Sequence, residues 1–314
     1  MPEAGLPTRT LGRTGMQVTQ LGYGALEFRM VRPSYRRIPP EQAGAVLHAV
    51  LDAGINFIDT SPDYGASEEV VGQWLRHRRS EFFLASKCGC PVAVDPLAAP
   101  PREHTYTREN IVANVEQSLR RLRTDYLDLV QFHHTPSRQE LEQGDALRAL
   151  EDLRTAGKVR FIGASSSVPR LPELIDAGIF DAFQIPYSAL QREHEPWITR
   201  AAEAGAGTII RGGAARGAAS EEKDWSVPVI GVEEDRPRSL WERAGLDDLL
   251  DGMGRHEFIL RFTLSHPDLH TTIVGTARPD HLQANLDAAR KGPLPADLYA
   301  ETKRRLNAAE TNGS

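Results

Sequence analysis

Residues 56–65, Asn56-Phe57-Ile58-Asp59-Thr60-Ser61-Pro62-Asp63-Tyr64-Gly65, decide how the rest of the chain is read. Asn56 to Asp59 has the pattern of a short buried strand, with Phe57 and Ile58 as its apolar part. Thr60, Ser61, Pro62 and Gly65 break it into a loop. A carboxylate, Asp59, therefore stands where the strand ends, and a phenol, Tyr64, follows in the loop. Two later stretches end in the same way. Phe82-Phe83-Leu84-Ala85-Ser86 runs into Lys87, and Leu127-Asp128-Leu129-Val130-Gln131-Phe132 runs into His133. Taken singly, each residue has an ordinary explanation as a turn former, a packed ring or a solvated cation. Taken together, Asp59, Tyr64, Lys87 and His133 are proton-handling groups at the ends of successive strands. Parallel neighbouring strands would bring all of them to one mouth, which is where a βα-barrel builds its active site.

The rest of the chain fits that architecture. Its 314 residues, 40% hydrophobic and 25% charged, are ordinary for a globular protein and suit one α/β barrel spanning residues 1–314. Thr10 to Val18 reads as a small hairpin with glycines at the turn, and Leu21 to Ala25 as the first barrel strand. Helices are expected over Glu41–Ala53, from Ser67 (as cap) to Leu75, and from Thr107 with Ile111, Val115, Leu119 and Leu122 on one stripe. Another is expected over Leu141–Ala156. Strands follow at Val159–Ala164, Asp181–Ile185, Gly207–Ile210 and Thr271–Gly275. Helices alternate with these strands, and further ones are expected at His256–Ser265, from Pro279, and over about 296–306. Strand and helix alternate eight times, which is the arithmetic of a (β/α)8 barrel. Residues 91–108 and 212–254 are long polar connections expected at the mouth.

Several function classes lose support. A net charge of −6 gives no reason to expect a nucleic-acid partner. No apolar stretch is long enough to span a membrane, and residues 1–5 lack the basic-then-apolar order of a secretion signal, so a cytoplasmic location is expected. The two cysteines, Cys88 and Cys90, form neither a Cys-x-x-Cys redox motif nor a zinc motif, and no metal site is expected. Gly22-Tyr23-Gly24 lacks the third glycine of a dinucleotide fingerprint, because position 27 is Glu. Nothing in the sequence fixes an oligomeric state.

In these motifs the chain resembles the aldo-keto reductase superfamily, from Leu11-Gly12-Arg13-Thr14-Gly15 to Asn285. Asn56 to Gly65 resembles the family's Asp/Tyr segment, Ser86-Lys87 its lysine strand, and Asp125 to His133 its histidine strand. The resemblance implies an NADPH/NADP+-dependent oxidoreductase that interconverts a small carbonyl compound and its alcohol. Asp59, Tyr64, Lys87 and His133 would be its catalytic tetrad. It also implies a cofactor site. Gly24, Ala25 and Asp59 would line it, while Ser165, Ser166 and Gln184 stand where the family holds the nicotinamide carboxamide. Tyr187 would stack on the nicotinamide. Arg211, Gly212, Gly213 and Arg216 replace the family's pyrophosphate loop, and Ser166 replaces its usual Asn. Gly275, Thr276, Arg278, His281 and Asn285 resemble the adenosine-phosphate segment, with Arg278 suited to a 2′-phosphate.

The chemistry of these side chains agrees with the resemblance. Carbonyl reduction needs a hydride on carbon and a proton on oxygen. A free phenol has a pKa near ~10. A neighbouring Lys87 cation is expected to lower it, and Asp59 to hold that cation by a charge-assisted hydrogen bond. His133 is expected to donate to the substrate oxygen. Strand alternation is expected to turn His134 to the opposite face. Phe28, Tyr106, His134, Trp225 and Trp241 are candidate pocket walls. Three alternatives use the same residues differently. An NADPH-binding redox-sensing or regulatory subunit with slow turnover would keep the tetrad. A phosphosugar isomerase or aldolase would leave the Asp59–Tyr64 pairing unexplained. A metal-dependent hydrolase lacks a His-x-His pair at a strand end.

Overall fold

A computed structural model of the chain describes residues 5–29, 38–92, 103–134, 136–215 and 236–311. The predicted strands close into a ring of β3 (Leu21–Gly24), β4 (Phe57–Asp59), β5 (Phe83–Cys88), β6 (Leu127–Phe132), β7 (Val159–Ser165), β8 (Ala182–Pro186), β9 (Gly207–Arg211) and β10 (Thr271–Val274). Neighbours pair in parallel all the way round, and β10 returns to β3. The register sets functional side chains at similar heights. Gly24 lies opposite Asp59, Lys87 opposite Gln131, and Ser165 opposite Gln184.

The antiparallel pair β1 (Thr8–Thr10) and β2 (Gln17–Thr19) closes the far end of the barrel. Leu11, Met16 and Val18 cluster with the inward residues Phe57, Ala85, Leu129, Ala182 and Ile209. At this end the barrel is thus filled by side chains, and among the described residues the opposite end carries the predicted site residues. Between strands and helices lies a second, larger core. The amphipathic helix α3 (Arg108–Leu122) buries Ile111, Val115, Leu119 and Leu122 there, the stripe that its spacing predicts. Thr107 caps this helix by accepting from the Asn110 backbone N–H.

The other helices are α1 (Pro40–Asp52), α2 (Ser67–Leu75), α4 (Arg138–Gln143), α5 (Ala146–Thr155), α6 (Leu171–Asp176), α7 (Glu195–Glu203), α8 (Arg236–Arg243), α9 (Arg255–Leu264), α10 (Pro279–Arg290) and α11 (Ala296–Thr311). Two local expectations are corrected. The single helix expected over 141–156 is split into α4 and α5, because the Tyr106 segment passes at Gly144. A Cβ on Gly144 would stand 1.8 Å from the Tyr106 carbonyl oxygen, and Asp145 adopts φ +53°. Ser67 is not the cap of α2. Its hydroxyl donates to the Ala25 carbonyl at 2.8 Å and pairs with Thr60, tying the β3 end to the β4 loop.

Gly275 marks the seam where β10 meets β3. A Cβ there would lie 2.3 Å from the Gly24 carbonyl oxygen, closer than real contacts allow. Gly275→Ala should therefore force the seam apart and destabilise the protein by ~1–3 kcal/mol, the usual cost of overpacking. Urea unfolding measures it. An unchanged midpoint would show that the seam yields without cost.

Candidate active site

A buried ion pair forms the floor of the open end. Lys87 Nζ donates to Asp59 Oδ2 at 2.6 Å and to the Thr60 carbonyl at 2.8 Å. The two side chains are only 0% and 2% exposed. Asp59 also accepts from Gln131 Nε2 at 3.0 Å and Gln184 Nε2 at 2.8 Å, both on Oδ1. Ser165 Oγ donates to Gln184 Oε1 at 3.2 Å. Strands β4, β5, β6, β7 and β8 thus each contribute to one hydrogen-bonded cluster. Burial works against the lysine's charge, but the fields of Asp59 and of the Tyr64 phenol outweigh it and hold its pKa above the usual lysine value. The motif reading does not single out Gln131. Its signal is alternation: Gln131 is two residues after the inward Leu129, so it shares the inward face of β6.

Tyr64 is half-buried, and its ring centroid lies 4.9 Å from Lys87 Nζ. The expected lowering of its pKa is corrected. Burial raises it, and the Asp59 charge adds to that. Lys87 and Arg211 pull the other way but do not win. The phenol therefore keeps its proton at neutral pH.

His133 does not stand alone. Its Nδ1 lies 3.1 Å from Asp63 Oδ2, 3.3 Å from Cys90 Sγ and 3.5 Å from Ser61 Oγ. His104 Nε2 lies 2.9 Å from the same Asp63 oxygen. Burial, together with the Lys87 charge, drives the His133 pKa down to about 3 despite Asp63, so the imidazole is neutral. Burial opposes the Asp63 charge, yet bonds from His104 and His133 hold that carboxyl well below the usual carboxylate range. A carboxylate only accepts, so the single proton of neutral His133 sits on Nδ1 and faces Asp63. Its Nε2 then presents a lone pair. The donor role expected for His133 is corrected accordingly for this arrangement. Asp63, Cys90 and His104 carry no sequence signal as site residues, because Asp63 comes from another loop and Cys90 and His104 lie far apart on theirs, with no short-spaced motif.

The expected separation of the two adjacent histidines is also corrected. Strand β6 ends at Phe132, and His134 adopts φ +60°, so alternation no longer applies. The His134 ring centroid lies 4.5 Å from that of His133 and 4.2 Å from that of His104. Beside them is a cavity of about 440 Å³ lined by His104, Tyr106, His134, Glu140, Ser167 and Arg170, among others. Arg170 pairs with Glu140 at 2.9 Å, so these walls are more polar than the expected aromatic set. Tyr106 donates to the His133 carbonyl.

The proposed cofactor residues divide into those at the mouth and those that are not. Ser165 and Arg211 are the last residues of β7 and β9, Ser166 follows β7, and Gln184 lies within β8. Ser166 Oγ is buried without a hydrogen-bond partner among the described residues, a polar atom suited to a carboxamide. Gly24 and Ala25 stand beside Asp59 at the end of β3. Gly212 adopts φ +74°, and the Gly213 carbonyl accepts from Thr263 Oγ1 at 2.7 Å. Thr276 Oγ1 accepts from the Arg278 backbone N–H at 3.0 Å. Arg278 stands immediately before α10, with its guanidinium on Asp280. His281 is exposed on α10, and Asn285 Oδ1 meets His256 Nε2 at 2.6 Å.

Three ring assignments fail on burial. Tyr187 is fully buried against Phe262 of α9 and His266 just after it, with its hydroxyl 3.3 Å from that of Tyr299 on α11, so it offers no stacking face. Phe28 is fully buried on Tyr23. Trp241 packs edge-on against Phe258 and donates to Asp247 at 3.0 Å. Both are core, not pocket wall. Arg216 and Trp225 lie outside the described residues.

Known proteins share this architecture. A model of the Aldo/keto reductase family matches residues 20–306. The chain is 29% identical to a D-threo-aldose 1-dehydrogenase of a Pseudomonas species, covering 91% of this chain and 94% of that protein. It is 24% identical to the uncharacterized oxidoreductase YqkF of Bacillus subtilis, covering 95% and 97%. The aldo-keto reductase AKR11C1 of Bacillus halodurans, solved in a holo form, superposes with a TM-score of 0.81 at 27% identity over 96% of each chain. No helix among the described residues is long and apolar enough to cross a membrane.

The ion pair generates a stability test. Asp59→Asn leaves the Lys87 ammonium buried without its anion, and should cost ~3–5 kcal/mol, the usual penalty for breaking a buried pair. Adding Lys87→Met should recover much of that loss, since the unpaired charge is then gone. Denaturant unfolding of both variants measures it. A single variant within about 1 kcal/mol of wild type, less than that penalty, would contradict the ion-pair account.

Proposed function

The chain belongs to the aldo/keto reductase family, and from that premise we propose that it reduces an aldehyde or ketone to an alcohol using NADPH, with Tyr64 as the general acid. Family and fold make it an oxidoreductase acting on carbonyl compounds. The observation that carries the finer reading is the protonated Tyr64 phenol set against the buried Lys87–Asp59 pair.

NADPH, when bound, supplies the hydride. Ser165, Ser166 and Gln184 would hold its carboxamide, and Arg211, Gly212 and Gly213 its phosphates. Gly24, Ala25, Gly275, Thr276, Arg278, His281 and Asn285 would complete the nucleotide site. The chain's own chemistry concerns the proton. An alkoxide-like oxygen developing beside Tyr64 is a much stronger base than a phenolate. Even a phenol with a raised pKa therefore gives up its proton to that oxygen. Lys87, fixed by Asp59, then stabilises the phenolate left behind. Running the other way requires a phenolate at the outset, which burial opposes and the Lys87 charge assists. His133, with its Nε2 lone pair, would orient a hydroxylated substrate by accepting a hydrogen bond from one of its hydroxyls, not from the carbonyl oxygen.

The cavity beside His104 and His134 is walled by Glu140, Ser167 and Arg170 as well as Tyr106. Such walls suit a carbonyl compound that carries hydroxyl groups. The likeness to a D-threo-aldose 1-dehydrogenase supports this substrate class.

Tyr64→Phe keeps the ring and removes the transferable proton. It should lower kcat at least ~10²-fold, the lower range for general-acid catalysis, and leave NADPH binding in place. Wild-type turnover in that variant would overturn the role of Tyr64. Steady-state assays with an aldehyde panel, beside fluorescence titration of NADPH, read both quantities.

Cofactor choice rests on Arg278 at the amino end of α10, where a 2′-phosphate would gain charge-assisted bonds. Arg278 must exchange its exposed partner Asp280 to make them. Arg278→Met should weaken NADPH by ~1.5–3 kcal/mol and leave NADH nearly unchanged. Asp280→Asn should tighten NADPH. Equal weakening of both cofactors by Arg278→Met would place the phosphate site elsewhere.

A further inference from the structure

The four side chains gathered around His133 can do more than fix its ring. Asp63 follows β4, Cys90 and His104 stand at the two ends of the connection from β5 to α3, and His133 follows β6, so three adjacent mouth loops send four ligand-type atoms to one point. Those atoms all lie within 4.8 Å of one another. The direct separations are 2.9 Å for His104–Asp63, 3.1 Å for His133–Asp63 and 3.3 Å for Cys90–His133. Four ligands on a tetrahedral zinc, at bonds of ~2.0–2.3 Å, stand about 3.3–3.7 Å apart, so the cluster needs only small shifts to close on an ion. Cys90 is fully buried, and the Asp63, His104 and His133 side chains are mostly so. Asp63 Oδ1 is buried without a hydrogen-bond partner among the described residues, which leaves that carboxylate with unused ligand capacity. His104 lines the polar cavity, which gives an entry path.

We propose that Asp63, Cys90, His104 and His133 form a tetrahedral site for a divalent transition metal of the zinc class. The ligand chemistry selects the ion. One thiolate and two imidazoles suit zinc and cobalt, whereas magnesium and calcium take oxygen sets. Charge also balances: the dication meets the Cys90 thiolate and the Asp63 carboxylate, so the filled site is neutral within a poorly solvated pocket. On binding, the Cys90 S–H bond breaks and its proton leaves to solvent as the metal–sulfur bond forms. The Asp63 hydrogen bonds are given up. His133 coordinates through Nδ1, so its ring proton moves to Nε2, and His104, coordinating through Nε2, carries its proton on Nδ1. No oxidation state changes. The consequence for catalysis, which rests on the reductase reading above, is that metal turns the Nε2 of His133 from an acceptor into a donor.

The metal site can be tested without any turnover. The reduced, chelator-stripped full-length protein is titrated with Co²⁺, followed by displacement with Zn²⁺. The expected result is one equivalent of cobalt with tetrahedral d–d bands and a thiolate-to-cobalt band. In Cys90→Ser the thiolate band should vanish. In His104→Asn, which changes a loop residue, cobalt affinity should fall at least about tenfold. Folding of both variants is checked by thermal unfolding. In the zinc-loaded wild type, the imidazole ¹⁵N spectrum should place the His133 proton on Nε2. Absence of a tetrahedral cobalt spectrum at several equivalents would overturn the site. A spectrum unchanged in both variants would show an adventitious ion only and overturn it too. Loss of carbonyl reduction with these spectra intact would count against the reductase reading alone.

Discussion

An ammonium buried in the open end of a barrel constrains everything around it. Lys87 is desolvated, so it requires an anion at contact distance, and Asp59 is that anion at 2.6 Å. Asp59 in turn needs donors for its second oxygen, and Gln131 and Gln184 reach it from β6 and β8. Neighbouring strands are thereby fixed in register at the same height. A buried ion pair is a poor way to gain stability, because apolar residues of similar volume often do better. Its presence here fits the proposed reaction, in which a fixed cation beside the Tyr64 phenol would help it to leave as phenolate.

The mouth then divides into two chemical halves. The loops after β4, β5 and β6 carry Asp63, Tyr64, Cys90 and His133, and these groups handle protons and hold ligand-type atoms. The ends of β7 to β10 carry hydroxyls, an amide, glycines and arginines, a set suited to a nucleotide. The seam at Gly24 and Gly275 joins the halves, where the backbones approach too closely for a Cβ. The hairpin at the far end packs Leu11, Met16 and Val18 against the inward residues of the barrel.

Much of this was legible from strand ends. Asp59, Lys87 and His133 each follow an apolar run, and parallel alternation carries such residues to one mouth. What burial by distant helices decides was not legible. Tyr187, Phe28 and Trp241 look like mouth aromatics in sequence, but helix packing takes them into the core. The break at Gly144 depends on the Tyr106 backbone passing against it, a contact far away in sequence. The φ of His134 is likewise set by the loop after β6 and puts it on the same cluster as His133. The Asp63–Cys90–His104–His133 cluster has no spacing signature, since its members meet only after the barrel has closed. Alternation could have revealed Gln131.

The central claim is that this chain moves a hydride from NADPH to a carbonyl carbon and a proton from Tyr64 to its oxygen. The most direct measurement follows the label from NADPH deuterated at the transferable position of its nicotinamide. The protein is incubated with this cofactor and a hydroxylated aldehyde, and the product is analysed by mass spectrometry. The account predicts an alcohol carrying one deuterium on the former carbonyl carbon, formed over many turnovers. NADPH that binds without being consumed, or an alcohol that carries no deuterium, would contradict it.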